Sequence, residues 1–392
     1  LVLSDNTATY AGGGMHNNSE GDAACTVRNC RFIHNIAGDN DKNLRSGGGL
    51  YVDDSDGYVI GCKFFENLAY KSGADIYSNS NISNCTVVAK GGGGTVSVIV
   101  DEAQKPNITF RSWGSYQFDK GAGTENDPYR IEKLEDWDTL FFNAECGLYS
   151  EGIYIRLDTD LTVTLSVGLA SSDRSFKGRF DGNGHTVTVI RRGNDENVGA
   201  FGHAENATIK NLTVKGTRKG NSAIGGIVGS ALNTLIENCT SDATIRASEK
   251  AGGIIGSQDC GNVVNNCISN SDIRCNNNYA GGISGYIAGE NTVIRNCVFI
   301  GYVSATYYHT GGIVGYEGAA TTVFNAHSFG MVPGSVAGAI SGFSAEGSEY
   351  ELCLYNKEYC TADENGICGA IIKTHTGNYI KISTPTCNTL WK

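Results

Sequence analysis

Short runs of alternating apolar and polar residues fill most of this chain. Thr186-Val187-Thr188-Val189 and Thr208-Ile209-Lys210-Asn211-Leu212-Thr213-Val214 are typical. A period of two places apolar side chains on one face of an extended strand. Glycine clusters and asparagines punctuate the runs, and both residue types suit tight turns. Asparagine tolerates left-handed backbone geometry and bonds to nearby backbone groups. One segment follows a different period. Between Glu132 and Ala144, residues Leu134, Trp137, Leu140, Phe141 and Ala144 fall at helical spacing, which predicts a single amphipathic helix.

The punctuation is itself periodic. Ile209-Lys210-Asn211-Leu212, Ile236-Glu237-Asn238-Cys239, Val264-Asn265-Asn266-Cys267, Ile294-Arg295-Asn296-Cys297 and Val323-Phe324-Asn325-Ala326 place their third-position asparagines 27, 28, 30 and 29 residues apart. Between them runs a second marker: Gly226-Ile227-Val228-Gly229, Gly253-Ile254-Ile255-Gly256, Gly282-Ile283-Ser284-Gly285 and Gly312-Ile313-Val314-Gly315. Gly199-Ala200-Phe201-Gly202 and Ala339-Ile340-Ser341-Gly342 flank this series, and Cys368-Gly369-Ala370-Ile371 reads as a last degenerate copy. The chain before Gly91 repeats differently, through Leu3…Asn6…Ala8, Phe32…Asn35…Ala37 and Phe64…Asn67…Ala69. Each copy is followed by small residues, at Gly12-Gly13-Gly14, Gly47-Gly48-Gly49 and Gly73-Ala74. The middle copy carries an insertion near Gly38 to Asn43, which maps to a loop.

A unit of two or three short strands cannot bury its own apolar face. Stacking units at about 4.8 Å pairs each strand with its equivalent in the next coil. Identical positions then form ladders, Asn on Asn at the turn and Ile on Ile inside. The expected fold is therefore all-β: a right-handed parallel β-helix in two pieces, with a short capping helix over 132–144. The expected pieces are residues 1–110, whose first coil looks truncated, and residues 111–392, which end in a C-terminal cap. Helical solenoids are excluded, because interior glycine costs about 1 kcal/mol per position in a helix. Propeller blades need roughly forty residues or more.

Composition narrows the class. The chain has 53 glycines, 4 prolines and a formal charge of −11. That charge argues against a nucleic-acid partner, which needs a basic surface. No apolar run approaches the roughly twenty residues needed to span a bilayer. Leu1 already sits inside a repeat, so the chain is expected to be a piece of something larger. Cys30, Cys62 and Cys85 share one repeat phase, as do Cys239, Cys267 and Cys297. Cysteines at one phase form a buried column of small apolar residues. Off-phase Cys260, Cys275, Cys360 and Cys368 are the better disulfide candidates. No CxxC pair marks a zinc site.

Gly226-Ile227-Val228-Gly229 and its copies resemble the GLUG motif, a glycine-bounded repeat of bacterial surface proteins. Gly121-Ala122-Gly123-Thr124-Glu125-Asn126-Asp127-Pro128-Tyr129, the helix, and Phe180-Asp181-Gly182-Asn183-Gly184-His185-Thr186-Val187 together resemble the module that precedes such repeats. Glu132 stands where that module carries Ser or Thr at the helix start. The Phe32-x-x-Asn35 and triple-glycine pattern resembles polymorphic outer-membrane proteins and related pectate-lyase-like β-helices. These resemblances imply an extracellular or cell-surface β-helix of a bacterium; such repeats also occur as non-catalytic regions of large surface peptidases.

No catalytic centre is expected. Pectinolytic β-helices stack acids at equivalent positions of adjacent coils. Asp242 and Asp272 come nearest, but their expected equivalents are Lys215 and Ile300. Asp181 and His185 could pass for an acid–base pair, yet Asn183-Gly184 between them reads as a hairpin-like turn. Gly12-Gly13-Gly14 lacks the Lys and helix of a phosphate loop. No cofactor is expected. Calcium is a weak candidate at Asp53-Asp54-Ser55-Asp56-Gly57 and at Asp39-Asn40-Asp41. Tyr302, Tyr307, Tyr308 and His309 form the candidate ligand-binding cluster, since outward aromatics can stack on sugar rings. The leading expectation is a non-catalytic adhesin, stalk or scaffold binding an extracellular glycan or a host or matrix protein. The alternatives are a carbohydrate-active lyase or hydrolase, and a spacer within a surface peptidase.

Overall fold

The computed structural model describes residues 2–359. Residues 5, 10, 19–24, 34, 39–45, 54–55, 66, 70–72, 90–97, 113–117, 146–151, 169–173, 194, 335 and 357–358 are excepted. Two compact units divide the chain, residues 1–117 and 118–392. Each is a right-handed parallel β-helix.

In the first unit, Val2–Ser4, Arg31–Ile33, Lys63–Phe65, Cys85–Ala89 and Ile108–Ser112 stack in one parallel sheet. Phe32 pairs with Leu3 and Phe64, and the two phenylalanine rings lie flat on each other, 4.9 Å apart. Two of the repeat asparagines turn inward. Asn35 and Asn67 are buried, and Asn35 donates from both its backbone N and Nδ2 to Oδ1 of Asn67, each at 2.9 Å. Asp75, also buried, ends the ladder by accepting from Asn67 Nδ2 at 2.9 Å. An apolar residue here would leave the backbone N–H of the turn without an acceptor. The triple glycines stack by main chain, with Gly13 donating to Gly47 and Gly14 to Gly48. A Cβ on Gly13 would sit 2.5 Å from the Gly48 oxygen, so no other residue fits.

In the second unit one coil runs Thr208–Lys210, Thr213–Gly220, Ile224–Gly225 and Val228–Leu232, then re-enters the first sheet at Leu235–Glu237. These four positions build four parallel sheets, named first, second, fourth and third here in the order of the coil. This coil thus holds four strands where the repeat suggested two or three, and the coil that starts at Val263 holds five, because its second-sheet strand breaks into Ile268–Ser269 and Asp272–Cys275. The Gly-Gly pair splits an extended run into two strands meeting at a corner. A Cβ on Gly226 would lie 1.9 Å from the Gly253 oxygen, so adjacent corners touch by backbone. The apolar residue of each corner points inward, and Ile227, Ile254, Ile283, Ile313 and Ile340 are fully buried.

The turn asparagines behave as their spacing predicts. Asn211, Asn238, Asn266, Asn296 and Asn325 have φ of 55, 52, 51, 56 and 49°. Asn206, Asn233 and Asn291 form a second left-handed column, in which Gly261 takes the remaining place with φ 73°. Beside the first column runs the thiol column. Cys239, Cys267, Cys297 and Cys353 are buried and unpaired, and each donates weakly to main-chain oxygens of its own and the preceding coil.

The helix spans Leu134–Glu145. Trp137, Leu140, Phe141 and Ala144 are fully buried. Trp137 stands edge-on to Phe180 at 6.1 Å and donates from Nε1 to the Leu165 oxygen at 3.1 Å. The Glu132 carboxylate accepts from Lys120 Nζ, and Asp136 bonds the helix start from inside the first turn. Its Oδ2 accepts from the backbone N of Glu132 and Lys133 at 2.9 and 3.2 Å, the returning half of a capping box.

Candidate ligand-binding surfaces

The four expected ligand residues lie on two parts of one coil, Tyr302 on a strand and Tyr307, Tyr308 and His309 in the turn that follows it. Tyr302 lies on the outward face of the second sheet, in register with Asp272, and its ring sits under the Arg274 guanidinium at 4.9 Å. Tyr307 and Tyr308 lie in the turn after Tyr302–Ala305 and are 70 and 54% exposed. His309 turns back over the glycine corner. Burial holds its imidazole below the ordinary range, so it is neutral at physiological pH.

His309 joins an aromatic column that sequence reasoning passed over. Tyr286 and Tyr316 are register partners on the third sheet, with rings nearly parallel at 5.6 Å. Phe343 continues the stack 4.5 Å from Tyr316. Tyr279 packs on Tyr316 at 4.6 Å across the corner and approaches Tyr308 at 6.4 Å. The Lys250 ammonium closes the other end, 4.3 Å above the Tyr286 ring. These rings cover one another's faces and are half-buried, whereas Tyr307 and Tyr308 beside them are exposed. The signal was present: Tyr286, Tyr316 and Phe343 each directly follow the glycine-bounded motif.

The acid candidates separate. Asp242 pairs with Lys215, as expected, but Asp272 pairs with Thr244 and Tyr302, not with the position of Ile300. The two acids are therefore in different rows, two residues apart along the strand. Asp272 is held below the usual carboxylate range: burial opposes ionisation, but Arg246 and Arg274 outweigh it. Asp181 and His185 are not partners either. Asp181 accepts from Asn183 N and Asn211 Nδ2, whereas His185 Nδ1 faces Asp160 at 3.2 Å. Asn183 and Gly184 do supply the bend, with φ 50 and 79°, but it joins strands of two different sheets and makes no hairpin.

Glu317 is a fully buried acid. It occupies the inward position of Ile287 in the previous coil. Burial pushes its carboxyl up to about 7, against hydrogen bonds from Ser348 and Tyr350. Tyr350 Oη reaches Oε1 at 2.7 Å and Ser348 Oγ reaches Oε2 at 2.6 Å. Both carboxyl oxygens are hydrogen-bonded, and the network reads as polar packing. An open groove of about 400 Å³ lies elsewhere, beside Lys177, Arg179, Asn206 and Asn233. Its cations are already engaged, Lys177 with Glu205 and Arg179 over Tyr154.

Neither disulfide candidate among the described residues is paired: Cys260 is exposed and free, and Cys275 is buried and free. Cys360 and Cys368 lie outside the described residues. Of the calcium candidates, residues 39–41, 54 and 55 also lie outside them, and Asp53 accepts from Asn79 Nδ2 at 2.8 Å. Among the described residues no helix is long and apolar enough to cross a membrane.

Comparison with known proteins bears on the glycine corner. Residues 220–246, one coil around Gly226-Ile227-Val228-Gly229, match the family described as the GLUG motif. The second unit is thus a parallel β-helix in which one coil matches the GLUG motif. An alignment of 114 positions that covers 24% of this chain is 28% identical to halomucin of Haloquadratum walsbyi and spans 1% of that protein's length. A solved structure from Bacteroides ovatus, named for an immunoglobulin A1 protease, is similar over 61% of this chain and 78% of its own, at 26% identity and a TM-score of 0.50.

Proposed function

We propose that this GLUG-repeat β-helix is a non-catalytic, extracellular binding scaffold displayed at a bacterial cell surface, an adhesin for glycan or matrix protein. The observation that carries the reading is the aromatic patch: Tyr307 and Tyr308 project from a stacked base of Tyr279, His309, Tyr316 and Phe343. Packing of the repeats does not call for exposed tyrosines in a turn. A rigid aromatic side chain with a polar tip gives contact area at low entropic cost. The GLUG motif and the likeness to halomucin support the surface location. The direct test is binding to a glycan array and to matrix proteins. The account expects at least one ligand, bound about tenfold or more weakly by Tyr307→Ala/Tyr308→Ala, in the range of a small hot spot. Uniformly negative results with folded protein overturn it.

A second reading has its own support. The likeness to the solved structure named for an immunoglobulin A1 protease favours a spacer within a surface peptidase. In that case the patch variant changes nothing, and neighbouring sequence carries the activity.

A further inference from the structure

The second sheet of the second unit carries a row that stacking does not require. Strand register pairs Arg192 with Lys219, Lys219 with Arg246, and Arg246 with Arg274. These side chains alternate with inward neighbours: Arg192, Lys219 and Arg274 are exposed and Arg246 is half-buried, whereas Arg191, Arg218, Ile245 and Ile273 are buried. Cations thus follow one another along the solenoid at the strand spacing of about 4.8 Å. Like charges directly opposite across a strand pair are destabilising. The formal charge of the chain is −11, so a basic row does not follow from composition.

The row is neutralised at one end only. Asp272 binds Arg246 Nη2 at 2.6 Å and Arg274 Nε at 3.1 Å. Among the described residues, Arg192 and Lys219 have no ion-pair partner. Hydroxyl groups line the same face. Thr217 and Thr244 are register partners two residues from the row, and Ser304 continues it after Arg274.

We propose that this row binds a linear acidic polysaccharide, one anionic group opposite each coil. The advance per pyranose in an extended polysaccharide is close to the spacing between strands, so successive carboxylates or sulfates meet successive cations. The flanking hydroxyls meet ring hydroxyls, and Tyr302 beside Arg274 offers an apolar edge. Nucleic acid fits less well. The row is one residue wide, and Asp242 and Asp272 stand on the same face, where dense phosphate charge needs a broad basic surface. The inference rests on the reading of the chain as a binding scaffold, but on residues separate from Tyr307 and Tyr308.

The test is retention of the full chain on immobilised polygalacturonate, dextran sulfate, neutral dextran and double-stranded DNA. The wild type is retained on one or both acidic glycans, which distinguishes carboxylate from sulfate as the anion, and not on neutral dextran. Salt elutes it as the screening length falls below about 10 Å. Arg192→Glu/Lys219→Glu, at two exposed positions, weakens binding about tenfold or more, as loss of steering and pairing charges does. Arg192→Gln/Lys219→Gln gives a smaller loss in the same direction and serves if the reversal pair does not fold. No retention of the wild type on either acidic glycan overturns the proposal, as does equal retention of both variants or tighter binding to DNA. If Tyr307→Ala/Tyr308→Ala removes binding and the charge variants do not, the aromatic reading stands and the basic row falls. The opposite pattern upholds the row and removes the tyrosines.

Discussion

Asn266 donates from Nδ2 to Oδ1 of Asn238, one coil away, at 2.7 Å. Both residues are in the left-handed region, with φ of 51 and 52°. One residue type therefore serves two purposes, turning the chain and bonding to its copy. The ladder extends through Asn211 below and changes partner above, where Asn296 donates to Asn265 Oδ1. Separating the two purposes gives the first prediction. Asn266→Gly keeps the turn and loses the amide bonds. Asn266→Ala also leaves in left-handed geometry a residue with neither glycine's missing Cβ nor asparagine's local hydrogen bonds, at a further cost of about 1–2 kcal/mol. Denaturant melts should rank wild type above Gly and Gly above Ala; equal stability of the two variants contradicts the turn account.

The buried carboxyl of Glu317 makes stability depend on pH. Its folded pKa is raised to about 7 from an ordinary 4.5. The native state therefore holds the proton more tightly than the unfolded state. The stabilising contribution is full below about pH 4.5 and is lost as pH rises through about 7. A shift of this size corresponds to roughly 3 kcal/mol. Glu317→Gln has no proton to lose, so the stability difference between wild type and variant should change across pH 4.5 to 7. A pH-independent difference contradicts the buried-acid account.

Arg218 is fully buried, and only its Nη2 bonds, to the Lys215 oxygen at 3.2 Å. Burial pushes its guanidinium down to about 9, so it still carries charge at neutral pH. Its register neighbours are Arg191, which has Asp195 as a partner, and Ile245. An unpaired buried charge costs more than an apolar side chain of similar volume. Arg218→Met should raise the unfolding free energy by about 1–3 kcal/mol, read as a higher Tm; a lower Tm contradicts it.

Thiol chemistry should sort by exposure. Burial holds Cys267 well above the ordinary thiol range and pushes Cys353 up to about 11. Such thiols stay protonated, and the thiolate is the reactive form. Cys260 is exposed. The native protein should therefore lose a fast-reacting thiol in Cys260→Ser, while Cys267→Ser leaves the fast phase unchanged. Fast labelling of Cys267 in the native state contradicts the buried column.

The ladders were readable because they depend on phase alone. Asparagines spaced 27 to 30 residues apart can be turn residues of stacked coils whatever lies between them. The helix was readable from Trp137, Leu140 and Phe141, but its start was not, because Asp136 lies inside the first turn and reaches back to the amides of Glu132 and Lys133. The outer surfaces were harder. Arg192, Lys219 and Arg246 share the repeat spacing, yet a long charged residue at a regular interval looks like a solvated face until strand register shows the charges adjacent. Asp242 and Asp272 lie about one coil apart in sequence, which alone would put them in one row. The break between Ile268–Ser269 and Asp272–Cys275 carries Asp272 opposite Thr244 instead. Tyr307 and His309, two residues apart, part company because the turn leaves the first in solvent and folds the second over the corner.

The central claim is that this β-helix holds polysaccharide without cleaving it. It is tested most directly by incubating the chain with polygalacturonate and dextran sulfate and measuring retention and product release on the same samples. The account predicts salt-sensitive retention with no new reducing ends and no unsaturated products over a day. Steady release of either product, proportional to protein concentration, would contradict it.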